Sequence, residues 1–233
     1  MRARLALVPL VAAAALLGGC GTQSVDTTAT STPASNGVEA QSADEILAQA
    51  KAALIAAKSF HVKGDMSDQG LTAKVDFKVS GSDIAGTVEM QGASIEMIKV
   101  GNDLFVKAPD NFWANLDPSR SFAALKGKYA KADMTFAAFA TLAKTFTPDE
   151  ILKVEGTASK GGSKTINGNP AIGVVDTKDK SVVYVATKGE PLPVALDSDG
   201  GKNEALLIEH GQPVEIKAPP AAQVVDLKSL MTH

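Results

Sequence analysis

The sequence predicts an α+β domain in which helices pack on one face of an antiparallel sheet. Apolar residues recur at every second position in two blocks, one that starts at Phe60 and one that follows Val154. They recur at a helical period before the first block and between the two. Such segregation of strands and helices is typical of α+β folds, and short strands with polar alternate residues indicate a sheet with one face in water.

The first twenty residues have the layout of a secretory signal peptide. Two arginines precede an uncharged apolar run over residues 5–17, and small residues follow it. The run is shorter than the roughly 20 residues that a membrane-spanning helix needs. Cys20 is the only cysteine, so no disulfide can form within the chain.

Residues 17–20, Leu-Gly-Gly-Cys, resemble the bacterial lipobox. The resemblance implies that a lipoprotein signal peptidase removes residues 1–19 after the sulfur of Cys20 has been diacylated. We therefore expect a protein that is anchored through its N-terminal acyl chains to the outer face of the cell membrane. The alternative is an ordinary secretory peptide with an incidental cysteine.

Residues 20–41 are predicted to form the acylated cysteine and a flexible tether. The segment is rich in Thr, Ser and Ala and has no apolar period, so it cannot bury enough surface to fold. Some twenty such residues have a root-mean-square reach of about 25 Å. A single folded domain is expected over residues 42–233, because that length suffices for one sizeable core.

The domain is predicted to open with a helix and a strand meander. Ser42 and Glu45 have capping-box spacing, and apolar residues follow them at a helical period. Strands are expected over 71–79, 84–90, 94–100 and 103–107, with a tight turn at Gly101 and Asn102.

The middle of the chain breaks this alternation. Helix starts are predicted at Asp117 and Pro118, at Asp133, and at Thr147 and Pro148. Five of the eight phenylalanines and the only tryptophan lie in this region, which places large apolar groups beside the sheet. Further strands are expected over 164–166, 171–176, 181–187, 192–197 and 205–209, the first two joined by an Asn-Gly turn.

The residues offer little support for catalysis or nucleic-acid binding. The three histidines are dispersed without metal-ligand spacing, and His61 is predicted to be a surface residue. No nucleotide-binding or hydrolase motif is present, so a hydrolase would have no candidate nucleophile. The formal net charge is −3 with no basic run. We expect neither an enzyme nor a metal or other cofactor.

The order of these features resembles one lipoprotein family. A lipobox, a tether, an opening helix and a meander precede FWANLDPSRSFAALKGKYAKADMTFAAF, SKTINGNPAIGVVDTKDKSVVYVATKGEPLPVAL and APPAAQVVDL. This order and composition of segments is similar to that of the actinobacterial LppX/LprG-type lipoproteins, whose fold resembles LolA and LolB. The resemblance implies a strongly curved half-barrel sheet whose concave face is covered by helices. It also implies an apolar cavity that binds lipids or lipidated molecules and carries them across the cell envelope.

The resemblance also implies the residues and partners of the cavity. The expected partners are a lipid or glycolipid, the membrane and an envelope transport protein, with the chain itself a monomer. From the pattern alone, a filled core is favoured for the same residues, and the resemblance reverses this order. A non-enzymatic sensor or structural lipoprotein that acts through a protein partner is the alternative function. The candidate lining residues are Val75, Phe77, Val88, Met90, Leu104, Trp113, Phe136, Phe139, Ala140 and Ala143.

Overall fold

A mostly antiparallel sheet dominates the computed structural model of the protein, which describes residues 34–68, 71–116, 118, 121–133, 144–198 and 203–231. Cys20 and the predicted cavity residues Phe136, Phe139, Ala140 and Ala143 lie outside the described residues. The twelve strands of the described part are β1 (Ser59–Asp68), β2 (Leu71–Ser80), β3 (Asp83–Met90), β4 (Ala93–Val100), β5 (Asp103–Lys107), β6 (Tyr129–Asp133), β7 (Ala158–Ile166), β8 (Asn169–Asp176), β9 (Val182–Ala186), β10 (Pro193–Ser198), β11 (Asn203–Ile208) and β12 (Val224–Asp226).

The strands form one open sheet. Their order is β12-β6-β5-β4-β3-β2-β1-β11-β10-β9-β8-β7, and each neighbouring pair is antiparallel except β12 and β6. Within the described residues the edge strands β7 and β12 do not pair with each other. The predicted α+β class with an antiparallel sheet is therefore confirmed.

The helices of the described part are few and short. They are α1 (Ala43–Ala57), α2 (Asp110–Leu116), α3 (Pro148–Ile151) and α4 (Leu227–Met231), with 3₁₀ turns at Val38–Ala40, Ala123–Leu125 and Ala221–Gln223. The capping box predicted at the start of α1 is confirmed: the Glu45 amide donates to the Ser42 hydroxyl, and the Ser42 amide donates to the Glu45 carboxylate. The buried side of α1 packs against β1, β7, β8 and β10.

One face of the sheet is apolar and forms the core with α1. The register aligns Val75, Val88 and Ile95 on adjacent strands, so their side chains share that face. Gly86 lies opposite Phe77, and a Cβ atom at Gly86 would stand 2.1 Å from the Asp76 carbonyl oxygen. A side chain at position 86 would therefore push β2 and β3 apart.

The sheet is strongly bent between β7 and β11. Three strands separate these two, which in a flat sheet would hold them about 19 Å apart. Lys164 of β7 nevertheless forms an ion pair with Glu204 of β11, and its ammonium lies 5.2 Å from the centre of the Tyr184 ring. These residues lie on the face opposite the core, because Lys164 pairs with Ala171, the neighbour of the core residue Ile172. α1 packs on the core side of this half of the sheet, and helices that cover the concave face are not shown within the described residues.

The middle of the chain differs from the prediction. Where a helix was expected after Pro118, the described residues form only the 3₁₀ turn Ala123–Leu125, and α2 lies earlier. Residues Tyr129–Asp133 form β6, a strand that was not predicted and that pairs with β5. The helix predicted to start at Asp133 falls mainly on residues 134–143, which lie outside the described residues. The predicted third helix is confirmed as α3, where the Thr147 hydroxyl accepts from the Glu150 amide.

The predicted tether is too long at its C-terminal end. Asn36 donates two side-chain hydrogen bonds, to the carbonyl oxygens of Ala186 (2.9 Å) and Gly189 (3.0 Å), and Ser35 pairs with Lys188. Val38 is 0% exposed within the core. Residues 35–41, which we call the clasp, therefore belong to the folded unit. The prediction missed them because the segment is mainly polar and only two of its residues, the buried Val38 and the hydrogen-bonding Asn36, tie it to the domain.

The packing of the clasp predicts that it contributes to the stability of the domain, unlike the rest of the tether. Deletion of residues 22–32 should leave the free energy of unfolding of the domain unchanged, whereas Val38→Ala should lower it by about 2 kcal/mol, because burial of the Val38 side chain is lost. Glu39→Ala, at an exposed neighbouring position, is the matched control. Denaturant unfolding measures all three, and an unchanged midpoint for Val38→Ala would mean that residues 35–41 do not pack on the domain.

Candidate functional site

Most of the predicted cavity residues that the structure describes lie in the packed core. Phe77 is fully buried, and its ring stacks on that of Phe146 with 4.3 Å between the centres. Met90 differs, because it is only half-buried, at the end of β3. The described candidates buried in the one hydrophobic cluster are Val75, Phe77, Val88, Leu104 and Trp113.

The core opens at the end of β3, beside Met90. A cleft of about 320 Å³ lies between the β3–β4 turn and α2. Its apolar lining is provided by Met90, Ala93, Ile95 and Phe112, and its polar lining by Gln91, Asn111 and Asn115. This volume is near the lower end of the range for small-molecule pockets, which are mainly apolar with a few polar groups.

The side chains that line the cleft connect directly to the core. Ile95 is buried and pairs with Val88 across β3 and β4. Phe112 meets Trp113 edge to face with 5.2 Å between the ring centres, and the Trp113 indole donates to the Ala108 carbonyl oxygen at 3.2 Å. The floor of the cleft is thus a rigid part of the core, whereas Met90 and Phe112 form its half-exposed border.

A second cleft of about 460 Å³ lies on the opposite face of the same strands. Its lining combines the polar side chains of Thr87, Ser94, Glu96 and Lys107 with the apolar side chains of Ala108 and Pro109. Burial, together with the hydrogen bond that its hydroxyl donates to Glu96, raises the pKa of Tyr129 to about 12. The phenol therefore stays protonated at neutral pH, so its contact with Glu96 ties β6 to β4 rather than providing a base.

His61 is a buried residue, so its predicted surface position is wrong. It is 8% exposed, with Nε2 2.7 Å from the Asp76 carboxylate and Nδ1 3.4 Å from that of Glu209. Burial raises the pKa of Asp76, but hydrogen bonds from Lys63 and His61 outweigh it, so that pKa is lowered. The cluster lies on the non-core face and ties β1 to its two neighbours. Among the described residues, no three metal-ligating side chains are grouped to hold an ion.

The sequence places Phe112 in the region rich in phenylalanine. Apart from Met90, the other residues of the cleft were not predicted from the sequence. Ile95 carries a visible signal, since it is an apolar position of an alternating strand. Gln91, Asn111 and Asn115 carry none, because polar residues beside turns and short helices are usually only solvated.

Comparisons with known proteins give little beyond this description. No protein-family model matches the chain, and no characterised protein matches it in sequence. The chain is similar to an uncharacterized conserved protein from Thermus thermophilus of known crystal structure, with 14% sequence identity and a TM-score of 0.42. The similarity covers 80% of this chain and 99% of that one. None of the helices in the described part of the chain has the length and apolarity to cross a membrane.

Proposed function

We propose that this protein is a cell-envelope lipoprotein that binds acyl chains of lipids or lipidated molecules and carries or presents them across the envelope. Its binding site is the cleft at Met90, Ile95 and Phe112. The observation that carries the proposal is that the apolar core is open at this point, with amide side chains at its border. An acyl chain needs apolar surface without directional polar contacts, whereas the border can hydrogen-bond a polar headgroup.

The anchor and the location belong to the same proposal. The lipobox-like residues 17–20 and the single cysteine support attachment at Cys20 and a place on the outer face of the cell membrane. Two or more acyl chains hold a protein stably on a bilayer, because each buried methylene contributes about 0.8 kcal/mol.

The finer fold prediction, a half-barrel with helices over its concave face, is proposed for the half of the sheet from β1 to β6. Support comes from the core face of this half, where Trp113 and Phe122 pack 6.1 Å apart between ring centres and Leu227 of α4 is buried. The contact of α4 with β6 supports a cover of this kind on the core side.

A second candidate is an envelope sensor or structural lipoprotein that acts through a protein partner and holds no lipid. It is favoured by the burial of Val75, Phe77, Val88, Leu104 and Trp113 in one cluster. A filled core needs no ligand for stability, so the two candidates differ in whether the cleft is occupied.

A tryptophan in the cleft tests the carrier. Ala93 faces the cleft, and Ser94 points to the polar side of the same strand. The unit Pro33–His233 is produced in secreted form, extracted into organic solvent and examined by mass spectrometry for copurified lipid. Ala93→Trp should lower the retained lipid about tenfold, a loss of about 1.4 kcal/mol in binding, because the indole occupies the acyl-chain volume.

Ser94→Trp is the matched control and should retain lipid like the parent. Thermal midpoints of both variants should stay close to that of the parent, since Ser94 is exposed and Ala93 borders the open cleft. Absence of lipid from the parent, or equal retention by Ala93→Trp, would reject the carrier in favour of the partner-dependent lipoprotein.

A further inference from the structure

A third cleft, of about 360 Å³, lies where β1 and β3 end and β2 and β4 begin. Three charged residues on adjacent strands line it: Asp65 lies directly opposite Lys74, and Lys74 lies directly opposite Glu89. Neighbouring strands are about 4.8 Å apart, so the three side chains form a row with the ammonium between the two carboxylates. The hydroxyls of Thr72 and Ser94 add to the polar lining of this charged cleft.

The charges of this cleft are unpaired, unlike the others on the same face of the sheet. Within the described part of the chain, the side chains of Asp65, Lys74 and Glu89 form no ion pair and no hydrogen bond. The other described lysines of the strands on this face each form an ion pair with a carboxylate; they are Lys63, Lys78, Lys107, Lys131 and Lys164. One cation and two anions are therefore free to bind a ligand at the charged cleft.

The charged cleft adjoins the proposed acyl-chain cleft. Both are lined by Met90, Gln91 and Ala93, so the two clefts meet at the β3–β4 turn. A ligand that crosses this turn places an acyl chain in the first cleft and a headgroup in the second. The charges then determine which headgroup the protein accepts.

We propose that the charged cleft binds the phosphoethanolamine headgroup of a phospholipid, an inference that rests on the proposed lipid-binding function. Lys74 pairs with the phosphate of the headgroup. Asp65 and Glu89, on either side of Lys74, accept hydrogen bonds from its ammonium group. Hydrogen bonds between charged groups are about twice as strong as those between neutral groups, so a zwitterionic ligand uses all three side chains.

The same side chains select against other phospholipid headgroups. Two carboxylates and one ammonium leave a net negative charge, which repels a headgroup whose only charge is its phosphate, as in phosphatidylglycerol. The trimethylammonium of choline has no N–H to donate, and proteins usually bind it in a cage of aromatic rings. No aromatic side chain among the described residues lines the charged cleft. Ethanolamine is favoured because its ammonium provides both a positive charge and N–H donors.

Competition between headgroups tests the proposal. The unit Pro33–His233, which contains the clasp and the twelve described strands, is delipidated and incubated with vesicles. The vesicles contain equal amounts of phosphatidylethanolamine, phosphatidylglycerol and phosphatidylcholine. The protein is then separated from the vesicles, and mass spectrometry quantifies the lipid that it holds. Phosphatidylethanolamine should be enriched about tenfold over each of the other two lipids.

A double variant places the preference at the charged cleft. Asp65→Asn combined with Glu89→Gln removes both carboxylates but keeps the shape of the side chains. This variant should bind a similar total amount of lipid without the preference, and its thermal midpoint should not change, because both residues are exposed. Asp44→Asn combined with Glu190→Gln is the matched control, since it changes the net charge equally at exposed positions outside the cleft. The control should keep the preference.

The outcomes distinguish this inference from the proposed function. Uptake of the three lipids in equal amounts, or a preference that persists in the Asp65→Asn and Glu89→Gln variant, would overturn the headgroup site alone. If the parent takes up none of the three phospholipids, the headgroup site is rejected, and the lipid that copurifies from cells decides separately whether the carrier function stands. Glycerophosphoethanolamine, the headgroup without acyl chains, should compete only at concentrations at least about a hundredfold above those of the lipid, because it buries no apolar surface. Competition at equal concentrations would identify the ligand as the free headgroup and overturn the assignment to a phospholipid.

Discussion

Phe77→Ala should lower the free energy of unfolding by about 3–5 kcal/mol, a large part of the stability of a domain of this size. Phe77 is fully buried at the centre of the sheet, stacked on Phe146 and opposite Gly86. Glycine at position 86 has no side chain to move into the vacated space, so the cavity stays open and its cost is retained. Chemical denaturation followed by the fluorescence of Trp113 measures the loss.

Leu71→Ala is the control, because Leu71 is an apolar residue of the same strand that is 52% exposed. Its effect should stay within about 0.5 kcal/mol. A loss below about 1 kcal/mol for Phe77→Ala would mean that the ring already borders empty space. The cavity predicted from the sequence would then extend under the centre of the sheet, beyond the cleft at Met90.

Local rules predicted the elements whose partners are close in sequence. The cap of α1 depends on two side chains three residues apart, and the β7–β8 hairpin depends on Asn167 and Gly168, both of which have positive φ angles. Alternation predicted which side of β2 and β3 is buried, because a strand with one wet face must alternate. These features were predictable because their causes lie within a few residues.

The elements that were missed depend on contacts between distant parts of the chain. β12 is only three residues long and forms by parallel pairing with β6, about 95 residues earlier. The clasp depends on the side-chain amide of Asn36, whose hydrogen-bond acceptors lie about 150 residues further along the chain. His61 is buried between Asp76 of β2 and Glu209, the residue that follows β11. A single sequence does not show which strands become neighbours, so none of these contacts was visible in it.

One part of the candidate site was predictable from the sequence and another part was not. Met90 was predicted from its place at the end of an alternating strand, and it does border the cleft. The position of α2 could not be predicted, since α2 is held in place by the Trp113 contacts with Ala108 and Phe122 rather than by a strong local start signal. The cleft lies between α2 and the β3–β4 turn, so it depends on how two separate elements pack and not on the pattern within either one.

In the proposed function, attachment to the membrane depends on one atom, the sulfur of Cys20. A thioether to diacylglycerol requires a thiol at the cleavage position, and the chain has no second thiol to replace it. Loss of two or three acyl chains removes many buried methylenes at about 0.8 kcal/mol each, so the effect on membrane binding should be close to complete.

Cys20→Ser should therefore abolish labelling of the protein by a radiolabelled fatty acid and leave an unprocessed or soluble form. Labelling is measured in cells grown with the fatty acid, followed by immunoprecipitation and separation of membrane and soluble fractions. Ser24→Cys in the Cys20→Ser chain is the matched control, because it restores a thiol four residues beyond the lipobox position. That chain should also remain unlabelled, since the modification requires the thiol directly after residues 17–19. Fatty-acid labelling that persists in Cys20→Ser would place the lipid on another residue and reject the anchor, whereas labelling restored by Ser24→Cys would show that a thiol suffices without its motif.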